Sequence, residues 1–408
     1  MPTITDAVDI AKNQPLVQYS FELAWLDAQL DPLALLVKDA AAKFAWGGSV
    51  TTDWVRSYSN FNPTRAAYCV FVYERAKSSR HICLVELFAA PPATPNKTES
   101  PVIETPAGWI KISPLANDPA LGTLASTLVL YPEAEVLRYR PYRRCTMRVQ
   151  SSNIPARIIK VFHDHQGATV NENTVAAWEA KQRGELSFNV AAPLGWEPES
   201  RRLALGLVPG KPILQELLSA QGAALSERMG RACAEIAISG IKPVSVFDAS
   251  SQMTRTREYA DELTTLLPQL TDRIEALLNR LAVMHSAAGR NTLRPIHGSP
   301  HAHQWLQQGT TLGLVDFDRF GLGDPELDVA TFLGEMDFER MQHSPAIAQA
   351  FQKGYEAVYG VLNPDLITAY RTHKRFAKVR RAAYKPSPKI PEKVLRHLLR
   401  TEECLGIK

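Results

Sequence analysis

The segment Ile296-His297-Gly298-Ser299-Pro300-His301-Ala302-His303-Gln304 gathers imidazoles, a hydroxyl and an amide, and shortly after it the apolar run Leu312–Phe317 carries Asp316, with Asp318 beyond it. Gln307-Gln308-Gly309-Thr310-Thr311 lies between and reads as a turn, so a strand–turn–strand hairpin would bring Gln304 and Asp316 to one end. Ser299 is no base near neutral pH and supplies no negative charge, whereas Asp318, His301 and His303 are nearby groups that could. For Asp316 the plain alternative is a solvated acid at a strand end. Further on, Asp324-Pro325-Glu326 puts an N-cap, a proline at the first helical position and an acid in the first turn, which predicts a helix through Leu333 with Asp328 bracing its surroundings from within.

These groups need elements to position them. Leu270, Ile274, Leu277, Leu278, Leu281 and His285 recur at helical spacing and predict an amphipathic helix ahead of the His-Gly segment. The first half of the chain is strand-like: Ala67–Tyr73, His81–Phe88, Glu135–Val149 and Arg157–Phe162 alternate, and Pro193–Pro198 and Arg201–Val208 follow a helix predicted over Thr174–Arg183. A helical stretch runs from about Ser20 to Phe44. Residues 89–101 hold four prolines among small polar residues and read as a linker or long loop. Strands first and helices after describe an α+β chain.

The two strand-rich parts resemble each other. Leu30-Asp31-Pro32-Leu33, Val55–Tyr58 and Arg65–Val70 parallel Asn117-Asp118-Pro119-Ala120, Val136–Tyr139 and Arg143–Met147, and each set is followed by a further strand, Ile82–Phe88 or Ile158–Phe162. This reads as a weak duplication of a small β-rich unit, against the alternative of two amphipathic hairpins alike by chance.

Composition sets outer bounds. At 408 residues, 45% hydrophobic and 22% charged, the chain suits two or three soluble globular domains. No apolar run is long enough for a bilayer span, and Met1–Asn13 lacks the order of a signal peptide, so a cytoplasmic protein is expected. Five scattered cysteines, none in a C-x-x-C pair, fit reduced thiols. Arg371–Arg400 holds eleven Lys or Arg against Glu392 alone, either a solvated helical face or an anion-binding surface. Nucleic acid is not the expected partner. The mildly acidic remainder is compatible with cationic ligands, and composition is too coarse to choose among them.

His297-Gly298, Asp316 and Gly323-Asp324-Pro325-Glu326-Leu327-Asp328-Val329-Ala330 together resemble the aminoglycoside phosphotransferase, choline kinase and maltokinase-like group, over roughly residues 135–400. The group's motifs read His-Gly-Asp-x-x-x-x-Asn, then apolar-Asp-apolar, then Gly-Asp-Pro-x-x-Asp. The resemblance implies a two-lobed protein kinase-like fold, with a small β-rich N-lobe and a helical C-lobe, preceded here by an additional α/β unit. The implied division is an N-terminal unit over 1–90, a proline-rich linker and connecting segment over 91–117, an N-lobe over 118–210 and a C-lobe over 211–408. It implies ATP and Mg²⁺ as cofactors and the hydroxyl of a small molecule as phosphoryl acceptor.

Position by position, the resemblance makes Asp316 a magnesium ligand and Gln304 the second ligand, where Asn is usual. Lys160 corresponds to the lysine that grips the α and β phosphates, with Glu179, or else Glu172, as its acidic partner. The plain alternative for Lys160 is a strand lysine facing solvent. Glu86 appears at the same place in the first repeat, so that unit reads as a scaffold. No glycine-rich loop precedes Val149, and Arg143 and Arg144 could instead contact phosphates by charge, or form a solvated basic turn.

Ser299 stands where the group carries its catalytic aspartate, and losing such a group costs about 10²–10⁴ in rate. Three readings compete. Asp318, His301 or His303 could supply the missing function in an atypical phosphotransferase; the chain could be a pseudokinase that binds nucleotide or metabolite without transfer; or the body could be an assembly surface that meets a protein partner through its N-terminal unit or its basic C-terminal helices.

Overall fold

The computed structural model describes residues 30–43, 54–62, 65–75, 81–92, 100–105, 108–151, 154–288, 292–337, 344–385 and 390–407. The start of the helix expected from Ser20 and most of the proline-rich segment fall outside them; helix α1 covers Leu30–Lys43.

The alternating segments pair into antiparallel strands. β1 (Trp54–Phe61), β2 (Ala67–Arg75), β3 (Ile82–Phe88), β4 (Val102–Thr105) and β5 (Gly108–Pro114) form one sheet in the order β1-β2-β3-β5-β4. After helix α2 (Leu124–Leu130), β6 (Glu135–Arg140), β7 (Arg144–Ser151), β8 (Ile154–Phe162), β9 (Pro193–Glu197) and β10 (Arg202–Gly206) form a second sheet in the order β6-β7-β8-β10-β9. The strand order is the same in both. The register agrees as well: Cys69 faces Leu87 and Val70 faces Glu86 in the first sheet, while Cys145 faces Val161 and Thr146 faces Lys160 in the second.

The helix between β8 and β9, α3 (Gln166–Gln182), begins well before the expected Thr174. Gly167, Thr169, Asn171 and Asn173 are poor helix formers, so local propensity hides this start. Hydrogen bonds hold it instead: Asp164 Oδ1 accepts the Gln166 N–H at 3.1 Å, and Asn173 Nδ2 donates to the Phe320 carbonyl at 3.0 Å.

The chain divides into two compact units. One holds residues 1–167, 196–204 and 381–395; the other holds 168–195, 205–380 and 396–408. In the first unit the two sheets share a core in which Val70, Val72, Ile82 and Leu84 meet Cys145, Met147, Ile159 and Val161. Asp118, nearly inaccessible, fastens the turn between β6 and β7: its carboxylate accepts Ala120 N–H at 2.9 Å, Tyr139 O–H at 2.6 Å and Tyr142 N–H at 2.9 Å. Tyr142 takes a left-handed backbone, with φ of 61°, and its hydroxyl donates to Glu86.

The second unit is mostly helical. It contains β11 (Lys211–Pro212), α4 (Leu214–Leu217), α5 (Gly222–Ile238), α6 (Ala249–Leu266), α7 (Thr271–Ala288), β12 (Arg294–Ile296), β13 (Trp305–Gln308), β14 (Thr311–Leu314), β15 (Gly321–Gly323), α8 (Pro325–Met336), α9 (Ser344–Tyr359) and most of α10 (Pro364–Ala383), while α11 (Ile390–Cys404) crosses the division. The expected stripe is buried on α7 through Ile274, Leu277, Leu278, Leu281 and His285. α5, α8 and α9 bury Met229, Ile236, Phe332, Phe351 and Tyr355 around Trp305, and the Phe332 and Phe351 rings stack 4.0 Å apart. Three cations of the basic stretch pair with acids from elsewhere in this unit, Arg371 and Arg375 with Asp337 and Arg380 with Glu262. No helix among the described residues is long and apolar enough to cross a membrane.

The Asp118 network makes a stability prediction. Replacing Asp118 by Ala leaves the Tyr139 hydroxyl and two backbone N–H groups without their acceptor, and should lower the stability of the first unit by about 2–4 kcal/mol in urea denaturation. A loss within experimental error would mean that the turn is held by other contacts.

Candidate active site

Gly298 determines where the Ser299 loop can lie. Its φ is +74°, and a Cβ built there would sit 2.1 Å from the Arg319 carbonyl oxygen, so any larger residue would both strain and collide. The loop is anchored from α8. Asp328, wholly buried, accepts the His297 N–H at 2.9 Å through one oxygen and the Gly298 N–H at 2.6 Å through the other. Asp328 thus braces the loop in the manner expected. Burial pushes its pKa up to about 6 against the opposing pull of those N–H groups.

The His297 ring is also buried, at 3.3 Å from the Val315 carbonyl through Nε2, and burial holds its pKa down to about 4. It is therefore a neutral donor that ties the loop to the chain just before Asp316. Asp324 occupies the N-cap position of α8, but its side chain makes no cap bond and accepts the Tyr370 hydroxyl instead. A buried phenol competes successfully for that carboxylate.

β13 and β14 pair as the expected hairpin, from Trp305 opposite Leu314 to Gln308 opposite Thr311. Gln304 and Asp316 meet at its open end, where Gln304 Nε2 donates to Asp316 Oδ2 at 3.2 Å. Asp316 has a left-handed backbone, φ 72° and ψ 57°, a conformation that costs a non-glycine residue about 1 kcal/mol or more and gathers at functional sites. The 3₁₀ turn Phe317–Arg319 follows and carries Asp318. The Gln304 amide oxygen is already engaged by the His301 N–H at 3.1 Å.

Ser299 is buried, and its carbonyl accepts the His301 N–H at 2.7 Å. The His301 Nδ1 is closed off from solvent at 3.5 Å from Glu335 Oε2, while part of the side chain stays exposed. Glu335 Oε2 also accepts the Ala302 N–H at 2.7 Å. Burial alone would raise the Glu335 pKa, but His301, this N–H and His303 more than offset it and keep the carboxyl below its ordinary range. His303 is exposed.

The remaining expected residues divide differently. Lys160 is buried in β8. Arg144 lies 5.7 Å from the Phe162 ring, and Arg143 is exposed in the turn that Asp118 fastens. Glu179 projects from α3 into solvent, 4.0 Å from Arg183, and Glu172 is exposed too.

Glu335 was not legible from the motifs. It lies far along the sequence from His301, and only its position on α8, a turn or two beyond Asp328, could have hinted that it faces the same loop.

The model of the phosphotransferase enzyme family, APH, matches residues 146–364. No curated protein matches significantly. Among solved structures, a choline/ethanolamine kinase family protein from Mesorhizobium loti is 16% identical over 71% of this chain and 95% of its own, with a TM-score of 0.50. Choline kinase LicA from Streptococcus pneumoniae is 12% identical over 70% and 97%, at 0.49, and APH(2″)-IIa in its streptomycin–ATP complex is 14% identical over 68% and 95%, also at 0.49.

The Asp328 anchor has a pH signature. Between about pH 4 and 6 the native carboxyl keeps a proton that the unfolded chain has released, so its contribution to stability is fully present below about pH 4 and falls as pH rises through 6. Asp328→Asn lacks that slope, so the stability difference between wild type and variant should change by up to about 1.4 kcal/mol per pH unit in denaturation at pH 4, 5 and 6. A difference that stays constant with pH would contradict the raised pKa.

Proposed function

Because the chain belongs to the phosphotransferase enzyme family, we propose that it transfers the terminal phosphoryl group of ATP to a hydroxyl of a small molecule, with the Glu335–His301 pair standing in for the absent aspartate. The observation that carries this reading is the hairpin end, where a left-handed Asp316 and Gln304 lie side by side next to the His297-Gly298-Ser299 loop. Such a cluster is what a phosphoryl donor needs, since this chemistry rests mainly on positioning and neutralising charge.

The donor set suits a magnesium ion delivered with the nucleotide. Mg²⁺ commonly takes one or two protein carboxylates and fills its remaining positions with phosphates and water. Asp316 supplies the carboxylate, and Gln304 could add its amide oxygen by releasing the His301 N–H. Among the described residues no three His, Cys, Asp or Glu side chains form a resident metal site. When bound, the ion would neutralise charge on the transferred group.

His301 provides the acid–base function. A carboxylate beside Nδ1 favours the tautomer with its proton there, which leaves Nε2 as the basic nitrogen. As the acceptor oxygen bonds to the γ-phosphorus and the bond to the departing ADP breaks, the hydroxyl proton passes to Nε2 and later to water. The 3.5 Å separation from Glu335 is longer than a hydrogen bond and would tighten with substrate in place. Ser299 can only orient the hydroxyl. Lys160 is assigned, as a separate proposal, to the donor phosphates.

A second reading has its own support. Ser299 lacks a charge and the Gln304 oxygen is occupied, as suits a pseudokinase that binds nucleotide without transfer.

Thermal shift with Mg-ATP separates binding from its absence: ligand at about 100 times its Kd should stabilise by roughly 2.7 kcal/mol, and Asp316→Ala and Lys160→Ala should each remove the effect. No shift at millimolar ATP would defeat both nucleotide readings. Phosphate release from Mg-ATP, with water as acceptor, should slow about 10²-fold or more in His301→Gln. If wild type binds ATP without turnover and Ser299→Asp gains it, the pseudokinase reading holds.

A further inference from the structure

Glu86 and Lys160 hold the same place in two sheets of one strand order. Val70 lies opposite Glu86 and Thr146 opposite Lys160, so each pair occupies the same step of its ladder. The two places nonetheless face different ways. Side chains alternate along a strand, and Val70, Val72, Ile82 and Leu84, on the Glu86 face of the first sheet, are packed into the shared core. In the second sheet that core takes Cys145, Met147, Ile159 and Val161, which leaves Arg144, Thr146 and Lys160 on the opposite face. The first sheet therefore uses the surface that corresponds to the Lys160 face to cover the back of the second.

Glu86, buried beside this core, is its polar exception. One carboxylate oxygen accepts the Tyr142 hydroxyl, and Lys111, opposite on β5, lies 3.6 Å from the other. Burial first, and then the Glu86 charge, push the Tyr142 phenol far above its usual range, so the hydroxyl keeps its proton and donates. Tyr142 sits in the turn between β6 and β7, with a left-handed backbone and its N–H bonded to Asp118. A non-glycine residue resists that conformation, and the acceptors at its N–H and its hydroxyl hold it there.

The turn lies close to the Lys160 position. Arg144 pairs with Phe162, two residues beyond Lys160, which puts the start of the turn roughly 7 Å further along the strands. The Arg143 carbonyl accepts the His163 N–H at 3.1 Å and closes the turn onto the end of β8, while the Arg143 side chain is exposed. A phosphate chain held at Lys160 is long enough to meet this turn.

We infer that Glu86 is a positioning residue for the phosphates of the donor nucleotide: by holding the Tyr142 hydroxyl, it fixes the β6–β7 turn and its arginine at the height at which they meet a group bound at Lys160. The first sheet is then a brace for the nucleotide end of the second. This rests on the phosphotransferase reading for the nucleotide, whereas the brace itself does not.

Two measurements on the full chain separate the brace from the nucleotide. Hydrogen exchange of the turn amides in the ligand-free protein reads the brace. Calorimetric titration with Mg-ATP, at a temperature where every variant is folded, reads its effect on binding. Tyr142→Phe, which removes only the hydroxyl, should speed exchange over residues 140–144 and weaken Mg-ATP binding about tenfold. Glu86→Gln keeps an acceptor and should stay near wild type in both, whereas Glu86→Leu should match Tyr142→Phe, with no further loss in the double variant. Should Glu86→Leu fail to fold, Tyr142→Phe and Glu86→Gln still decide. Unchanged exchange in Tyr142→Phe overturns the brace. Faster exchange with undiminished Mg-ATP affinity marks a merely structural bond and overturns the positioning role, as do additive losses in the double variant. If wild type itself does not bind Mg-ATP at millimolar concentration, the phosphotransferase reading fails and the positioning role with it, while the exchange result still reports on the brace.

Discussion

One buried carboxylate receiving two consecutive backbone N–H groups organises the Ser299 loop of the helical unit. Asp328 fixes the peptide planes of His297 and Gly298, and that in turn sets the path of Ser299 and the turn to His301. Through the His297 ring the same anchor reaches Val315, beside Asp316. A loop with few contacts of its own is thereby held by a charge placed on a rigid helix. The arrangement tolerates no side chain at residue 298, since the Arg319 backbone fills that space.

Around this anchor, carboxylates serve distinct purposes according to their surroundings. Asp328 is inaccessible and fully engaged, and Asp324 is bonded to a buried tyrosine, so both belong to the framework. Asp316 sits just past a strand end in a left-handed backbone conformation and accepts a hydrogen bond from Gln304. Glu335 lies between these extremes, holding a backbone N–H and facing an imidazole. Similar residue types on one short stretch of chain thus acquire different chemistry from burial and hydrogen bonding alone.

The sequence made the framework of this site readable because its parts are local. The Gln304–Asp316 adjacency follows from a short hairpin, and the buried stripe of α7 follows from helical period. Gly298 and Asp328 were visible as motif letters before their geometry was known. What stayed hidden depends on distant partners. Glu335 meets His301 only after α8 folds back on the loop, and the start of α3 is held by Asp164 and the Phe320 carbonyl against weak intrinsic preference. Asp118 appeared in the sequence only as half of an Asp-Pro pair, although it fastens the turn after β6.

The shared core of the two sheets bears on where this protein can be cut. The family match begins at residue 146, inside β7, yet Met147, Ile159 and Val161 are covered by Val70, Val72, Ile82 and Leu84 from the preceding sheet. A fragment trimmed to that boundary would leave one greasy face of the remaining sheet without its lid and would break a strand in the middle. Such a piece would be a substrate for chaperones and proteases rather than an independent domain, so the smallest autonomous version of this protein must retain the sheet that precedes the family match.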